Sequence, residues 1–328
     1  MSAGVYLDAY LAPLASWLER DDVTDVLVNR PGEVWIETAG GVMSREAAPA
    51  VTETALGRLA RQIAAASHQG VNREHPLLSA ALPNGARVQV VAPPATRAGL
   101  ALAVRKHVIS DFTLDELGHA GLFAEGEAAA SRVAADAELE SLLARGDRLD
   151  FLKLAVRRRK TIVVSGAAGA GKTTLLNALV KEIPAGERLI VIEDAPEIRL
   201  DRDNAVGLIA VRGDQGEARV DADDLLRASM RMRPDRVLLG ELRGAEAFTF
   251  LRAINSGHPG SITTVHADDP EGALDQIAML AMTSGLDLDW TRLQTYVGRL
   301  IDVVVQMDRT GGRRRIQRIL YQPRAAVT

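Results

Sequence analysis

A chain of 328 residues, 47% hydrophobic and 25% charged, has room for about two globular domains, each able to bury a core. Its net charge of −4 gives no global attraction for nucleic acid or an acidic membrane surface, and the absence of cysteine excludes disulfides and thiolate metal sites while favouring a reducing compartment. The N-terminal stretch has neither a basic segment nor an apolar signal core, and later apolar runs are too short or interrupted to span a bilayer, so a cytoplasmic protein is expected, with any membrane association peripheral and through partners.

In chain order, Val23 to Asn29 and Val34 to Glu37 read as strands around the turn Arg30-Pro31-Gly32-Glu33. An amphipathic helix over Thr52 to Ser67 comes next, carrying Leu56, Leu59, Ile63 and Ala64 on one side. Ser79 to Leu82 and Arg87 to Val91 flank the turn Pro83-Asn84-Gly85, and Leu100 to Lys106 adds a further strand. Strands with a segregated helix predict a smaller α+β N-terminal domain over 1–112. The Ala- and Glu-rich stretch from Asp111 to Arg132, interrupted by Gly118, Gly121 and Gly126, reads as a linker with helical tendency, assigned to 113–136.

Over 137–328 strands alternate with helices, which predicts an α/β domain with a parallel sheet covered on both faces. Its strands are Thr161 to Ser165, Arg188 to Ile192, Arg236 to Gly240, Ser261 to Val265 and Asp302 to Met307. The first leads into Gly166-Ala167-Ala168-Gly169-Ala170-Gly171-Lys172-Thr173-Thr174, with a helix starting at Lys172. That is a phosphate-cradling turn: glycines admit positive φ angles, backbone N–H groups and the helix N-terminus face the phosphates, Lys172 offers charge to the β and γ phosphates, and Thr173 a hydroxyl to Mg²⁺. The expected ligands are therefore a nucleoside triphosphate, its base left open, and Mg²⁺. No Asn-Lys-x-Asp guanine-reading run accompanies the loop.

Ligands of open α/β sheets sit beyond the carboxyl ends of the strands, so the residues just past each strand are informative. The second strand runs into Glu193-Asp194 with Glu197 beyond, the third into Glu241, and the fourth into His266-Ala267-Asp268. Glu193 is the candidate base for water, Glu241 the candidate magnesium ligand, and His266 the group that senses the γ phosphate or bridges the carboxylates. The basic run Arg157-Arg158-Arg159-Lys160 sits at a helix end and reads as satisfying the helix dipole rather than as a nucleic-acid track.

Four boxes in order resemble the hexameric secretion ATPases of type IV secretion and conjugative DNA transfer, the TrbB and VirB class, relatives of the type II secretion and type IV pilus motors. They are GAAGAGKTT at Gly166 to Thr174, VIEDAPE at Val191 to Glu197, RPDRVLLGELRG at Arg233 to Gly244 and GHPGSITTVHA at Gly257 to Ala267. VTDVLVNRPGEVWIE and LPNGARVQVVAPP in the N-terminal half are similar to the conjugative branch. The resemblance implies a RecA-like P-loop ATPase domain behind the N-terminal domain, assembled as a homo-oligomeric, hexameric ring with ATP held between the two domains. It also implies arginines reaching the γ phosphate from the N-terminal side, with Arg105 the first choice and Arg87 the second, while Arg243 orients Glu241 or a neighbouring subunit. The implied work is protein secretion or DNA transfer through an inner-membrane channel to which the ring docks from the cytoplasmic side. Two alternatives stay open: a DNA-translocating motor, against which stand the acidic charge balance and 4% aromatic content, and a nucleotide-gated ring scaffold with incidental hydrolysis.

Overall fold

A computed structural model describes residues 3–323 except 108–112, 120, 122, 124–126, 212, 214–215, 286 and 288. The expected end of the N-terminal domain at Phe112, and Asp111 and Gly126 of the linker, lie outside the described residues.

The first half forms a six-stranded antiparallel sheet in the order β3-β2-β1-β6-β5-β4. Its strands are β1 (Val23–Val28), β2 (Gly32–Thr38), β3 (Met43–Ala48), β4 (Leu77–Ala81), β5 (Arg87–Val91) and β6 (Ala101–Arg105). Successive side chains on a strand point to opposite faces, and here both faces are apolar. Val26 and Val28 pack with Leu56, Leu59 and Ile63 of the helix Glu53–Ala66, whereas Leu27, Ala101 and Ala103 belong to the same buried cluster as Leu208, Leu226 and Met232 of the second half.

The second half forms a seven-stranded sheet in the order β13-β12-β7-β11-β10-β8-β9. Its strands are β7 (Ile162–Ser165), β8 (Leu189–Glu193), β9 (Ala205–Ile209), β10 (Arg236–Leu239), β11 (Ile262–Val265), β12 (Val303–Thr310) and β13 (Arg313–Tyr321). All neighbours are parallel except the β12–β13 hairpin. Every residue of β7, β8, β10 and β11 is buried, because helices Arg148–Arg157 and Lys172–Glu182 cover one face and Glu246–Asn255, Pro270–Met282 and Trp290–Leu300 the other. The phosphate loop and the acidic strand ends are thereby brought to one edge.

Three strands escape the sequence reading. β3 and β13 are polar edge strands, MSREAA and RRRIQRILY, whose charged side chains guard an open edge and erase the apolar signal. β9 is a short run interrupted by Gly207. The helix Glu127–Ala144 runs from the stretch read as linker into the second half, where Leu139 and Leu142 join the core around Phe151. The basic run at 157–160 is engaged within the fold: Arg157 pairs with Glu182 at 3.1 Å, Arg159 with Glu187 at 3.3 Å, and buried Lys160 with Asp136.

A local cap fixes the helix that follows β11. Asp269 opens Pro270–Met282 by accepting a hydrogen bond from the Gly272 N–H at 2.8 Å, one of the donors a helix start leaves without an internal partner. Replacing Asp269 by alanine is expected to cost about 1 kcal/mol, read as a lowered urea midpoint at unchanged m value.

Candidate functional site

The loop between β7 and the helix Lys172–Glu182 is held by its neighbours as well as by its own turn. At Gly166, φ is 146°, and a side chain there would place its Cβ 2.5 Å from the Met307 carbonyl oxygen of β12, so the loop can rest on that strand only with glycine. The helix then starts behind Gly171, itself left-handed at φ 98°, and its first residues, Lys172, Thr173 and Thr174, line the cleft, where a helix start leaves N–H groups without internal partners. Lys172 is buried to 8% exposure, and its ammonium donates to the carbonyls of Gly166 at 2.8 Å and Ala167 at 3.2 Å. Burial pushes its pKa below that of an ordinary lysine, with Glu241 opposing the shift. An ammonium so desolvated is poised for an anion.

Two carboxylates and an imidazole share the cleft with that lysine. Gly240 closes β10, and a side chain in its place would put Cβ 3.1 Å from Glu193 Cγ, so the bare backbone lets the ends of β8 and β10 meet. Glu241 comes next, with Oε2 ion-paired to Arg243 and Oε1 2.8 Å from His266 Nε2. Lys172 also donates to His266 Nδ1 at 3.3 Å. An ammonium can only donate, so Nδ1 must accept, and in a neutral ring this assigns the proton to Nε2, facing Glu241. His266 thus links the loop lysine to the strand-end acid. Glu193, 5% exposed, accepts at Oε1 from the backbone N–H groups of Glu197 at 3.0 Å and Ile198 at 2.8 Å, and its Oε2 contacts Arg97. The cleft enclosed is about 680 Å³ and is lined by Lys172, Thr173, Glu193, Glu241, Arg243 and His266.

The other residues singled out in the sequence fall in different places. Ala168, Gly169, Gly171 and Thr174 line the cleft, Gly166 and Ala167 turn their carbonyls to Lys172, and Ala170 is buried beneath the loop. Arg105 does not line the cleft: it is 71% exposed at the end of β6, 3.9 Å from Asp25, with Arg87 directly opposite on β5. Two arginines that the sequence reading passed over do approach the site. Arg314, just beyond the Gly311-Gly312 turn, lines the cleft from β13, and Arg97 reaches Glu193 from the loop between β5 and β6. A run of arginines after a glycine pair was a visible signal for the first; nothing in local periodicity marks the second.

Whether the donors suit Mg²⁺ can be judged from their chemistry. Glu241 presents Oε1 to His266 and Oε2 to Arg243 at the cleft, and Thr173 lines the same cleft. A carboxylate and a hydroxyl beside a phosphate-binding loop are the protein share of a magnesium site whose other ligands are phosphate oxygens and water, so the residues fit the ion.

Residues 9–325 match the family model described as Type II/IV secretion system protein. The chain is 42% identical over 324 residues to the type IV secretion system protein PtlH homolog of Bordetella bronchiseptica, covering 96% of this chain and 95% of that one. It is 38% identical to the type IV secretion system protein VirB11 of Bartonella quintana, covering 95% and 92%. The crystal structure of the Brucella suis VirB11 ATPase in complex with sulphate superimposes with a TM-score of 0.90 at 35% identity, covering 98% of this chain and 96% of that one.

Proposed function

Because the chain belongs to the type II/IV secretion system protein family, a family of ATPases, we propose that it is a magnesium-dependent ATPase working as a hexameric ring motor at a type IV secretion or conjugation apparatus. The observation that carries this reading is the chain of contacts from Lys172 through His266 to Glu241 at the mouth of the phosphate loop. In our reading the protomer divides into an N-terminal domain (1–112), a linker (113–136) and a RecA-like domain (137–328), and the ring sits at the cytoplasmic face of the membrane through its channel partners. Among the described residues no helix is long and apolar enough to cross a membrane.

Each residue has a task in the proposed mechanism. The loop N–H groups and the Lys172 ammonium take up the charge that develops on the transferring phosphoryl group, replacing the two carbonyls that hold Lys172 here. Thr173 and Glu241 would hold Mg²⁺, which when bound supplies charge neutralisation at the β and γ phosphate oxygens. Glu193, anchored through Oε1, orients the attacking water and accepts its proton. His266 donates from Nε2 toward Glu241 and so reports whether the acid is engaged. Arg243 neutralises the other oxygen of Glu241; the Glu241 ion pair, aided by Asp194, raises its pKa, so it stays cationic throughout. Arg105 and Arg87 would reach a γ phosphate only after a change in domain position, or in an assembled ring.

Glu241→Gln tests the assignment of the metal. The variant is expected to bind ATP analogue and to lose turnover by about 10²-fold, with an increased magnesium requirement. Hydrolysis that ignores both chelation and this substitution would remove the magnesium reading, and light scattering that finds a monomer with analogue and magnesium present would remove the ring.

A further inference from the structure

The loop between β5 and β6 leaves the N-terminal sheet and is stitched onto the edge of the catalytic sheet. Arg97 N–H donates to the Gly207 carbonyl at 2.9 Å, Ile209 N–H donates to the Ala95 carbonyl at 2.9 Å, and Thr96 bridges Leu208 antiparallel. The Arg97 side chain then lies across Gly207. An added Cβ at Gly207 would stand 2.4 Å from Arg97 Cδ, so this passage exists only because β9 carries glycine there. Beyond it the guanidinium donates from Nη1 to the Ile198 carbonyl at 2.7 Å and ion-pairs through Nη2 with Glu193 Oε2.

The two oxygens of Glu193 are therefore held from different halves of the chain. Oε1 is fixed by backbone N–H groups just past β8 itself, while Oε2 faces a cation delivered from the N-terminal half. Glu193 is nearly out of water, and a carboxylate in that position stays ionised only where charge or hydrogen bonds compensate the lost hydration. The charged groups around the cleft are mixed: Asp194, Glu197, Asp221, Glu241 and Glu246 oppose ionisation, and Lys172, Arg243, Arg314 and His266, when protonated, favour it. Arg97 is the cation in contact with Glu193.

We propose that Arg97 is a positioning residue for hydrolysis, keeping Glu193 ionised and aimed into the cleft for as long as the loop of the N-terminal half is seated along β9. This rests on the reading of Glu193 as the carboxylate that takes the proton of water. The state of that carboxylate then depends on where the N-terminal half sits, because shearing the loop from β9 withdraws the cation. Movement of the two halves against each other and the capacity to hydrolyse become linked through one side chain.

The test is the pH profile of kcat for ATP hydrolysis by the full chain, for wild type, Arg97→Met, Arg97→Lys, Gly207→Ala and Glu193→Gln. Loss of the guanidinium should move the acid limb of the Arg97→Met profile to higher pH by about one unit or more, with KM for ATP changed by less than about threefold. Arg97→Lys, which keeps the charge, should restore most of the limb. Gly207→Ala, whose methyl displaces Arg97 without removing it, should shift the limb as Arg97→Met does, and it serves as the test if that variant fails to fold. Unshifted limbs in Arg97→Met and Gly207→Ala, with turnover abolished in Glu193→Gln, would overturn the role of Arg97 alone. Normal turnover in Glu193→Gln would instead overturn the reading of Glu193 beneath it.

Discussion

Lys172→Ala is expected to reduce kcat for ATP hydrolysis by a factor on the order of 10² to 10³, the usual loss when a preorganised donor to developing charge is removed. The fold should survive. The ammonium donates to carbonyls of the loop and to His266, and none of these groups belongs to the hydrophobic core. The sign of its pKa shift points the same way. Burial lowers the folded pKa of Lys172, so its protonated form costs stability at neutral pH, a cost that lifts only as pH rises through the folded pKa toward the unfolded value. Removing the amine therefore subtracts no electrostatic stability at neutral pH. Steady-state hydrolysis and thermal melting on the same preparation check both halves of the expectation. Wild-type turnover in Lys172→Ala would dismantle the phosphate-loop reading, and an unfolded variant would show that the lysine stem, rather than its charge, holds the loop.

How much of this was legible in the sequence depends on how local each feature is. The phosphate loop is contiguous, strand to turn to helix, and its residues could be read directly. Glu193, Glu241 and His266 are far apart in the chain, yet parallel alternation places all their strand ends on one edge, so their convergence could be anticipated. Arg97 could not be anticipated in that way. Its position depends on a loop docking on β9 and on the missing side chain of Gly207, a relation across more than a hundred residues with no periodic trace. Arg105 was offered by the family resemblance alone; in the protomer it lies exposed beside Asp25, and a contact with the γ phosphate would need an assembled ring or a change in domain position, which no local pattern encodes. The polar edge strands β3 and β13 were invisible because guarding an open edge requires the charges that hide a strand from hydropathy.

At the end of the catalytic sheet away from the cleft, Glu187→Ala should destabilise the protein by about 3–5 kcal/mol while leaving the nucleotide chemistry in place. Arg236, the first residue of β10, is fully buried, and its guanidinium donates to Glu187 through Nε at 2.6 Å and Nη2 at 3.0 Å, with Nη1 on the Gly260 carbonyl at 3.3 Å. This fork ties the entrances of β8, β10 and β11 together. Removing the carboxylate strands a desolvated cation, which is much costlier than the pair is worth, since two well-packed apolar residues in its place would be close to neutral. The double variant Glu187→Leu with Arg236→Met should accordingly recover most of what Glu187→Ala loses. Urea unfolding of the single and double variants measures the coupling, and ATP hydrolysis below the transition checks that the cleft is intact. Arg159, at 3.3 Å from Glu187 and partly exposed, is expected to contribute little to that coupling because water screens it. A Glu187→Ala cost below about 1 kcal/mol would mean that water reaches Arg236, and that the sheet is held at this end by its apolar faces alone.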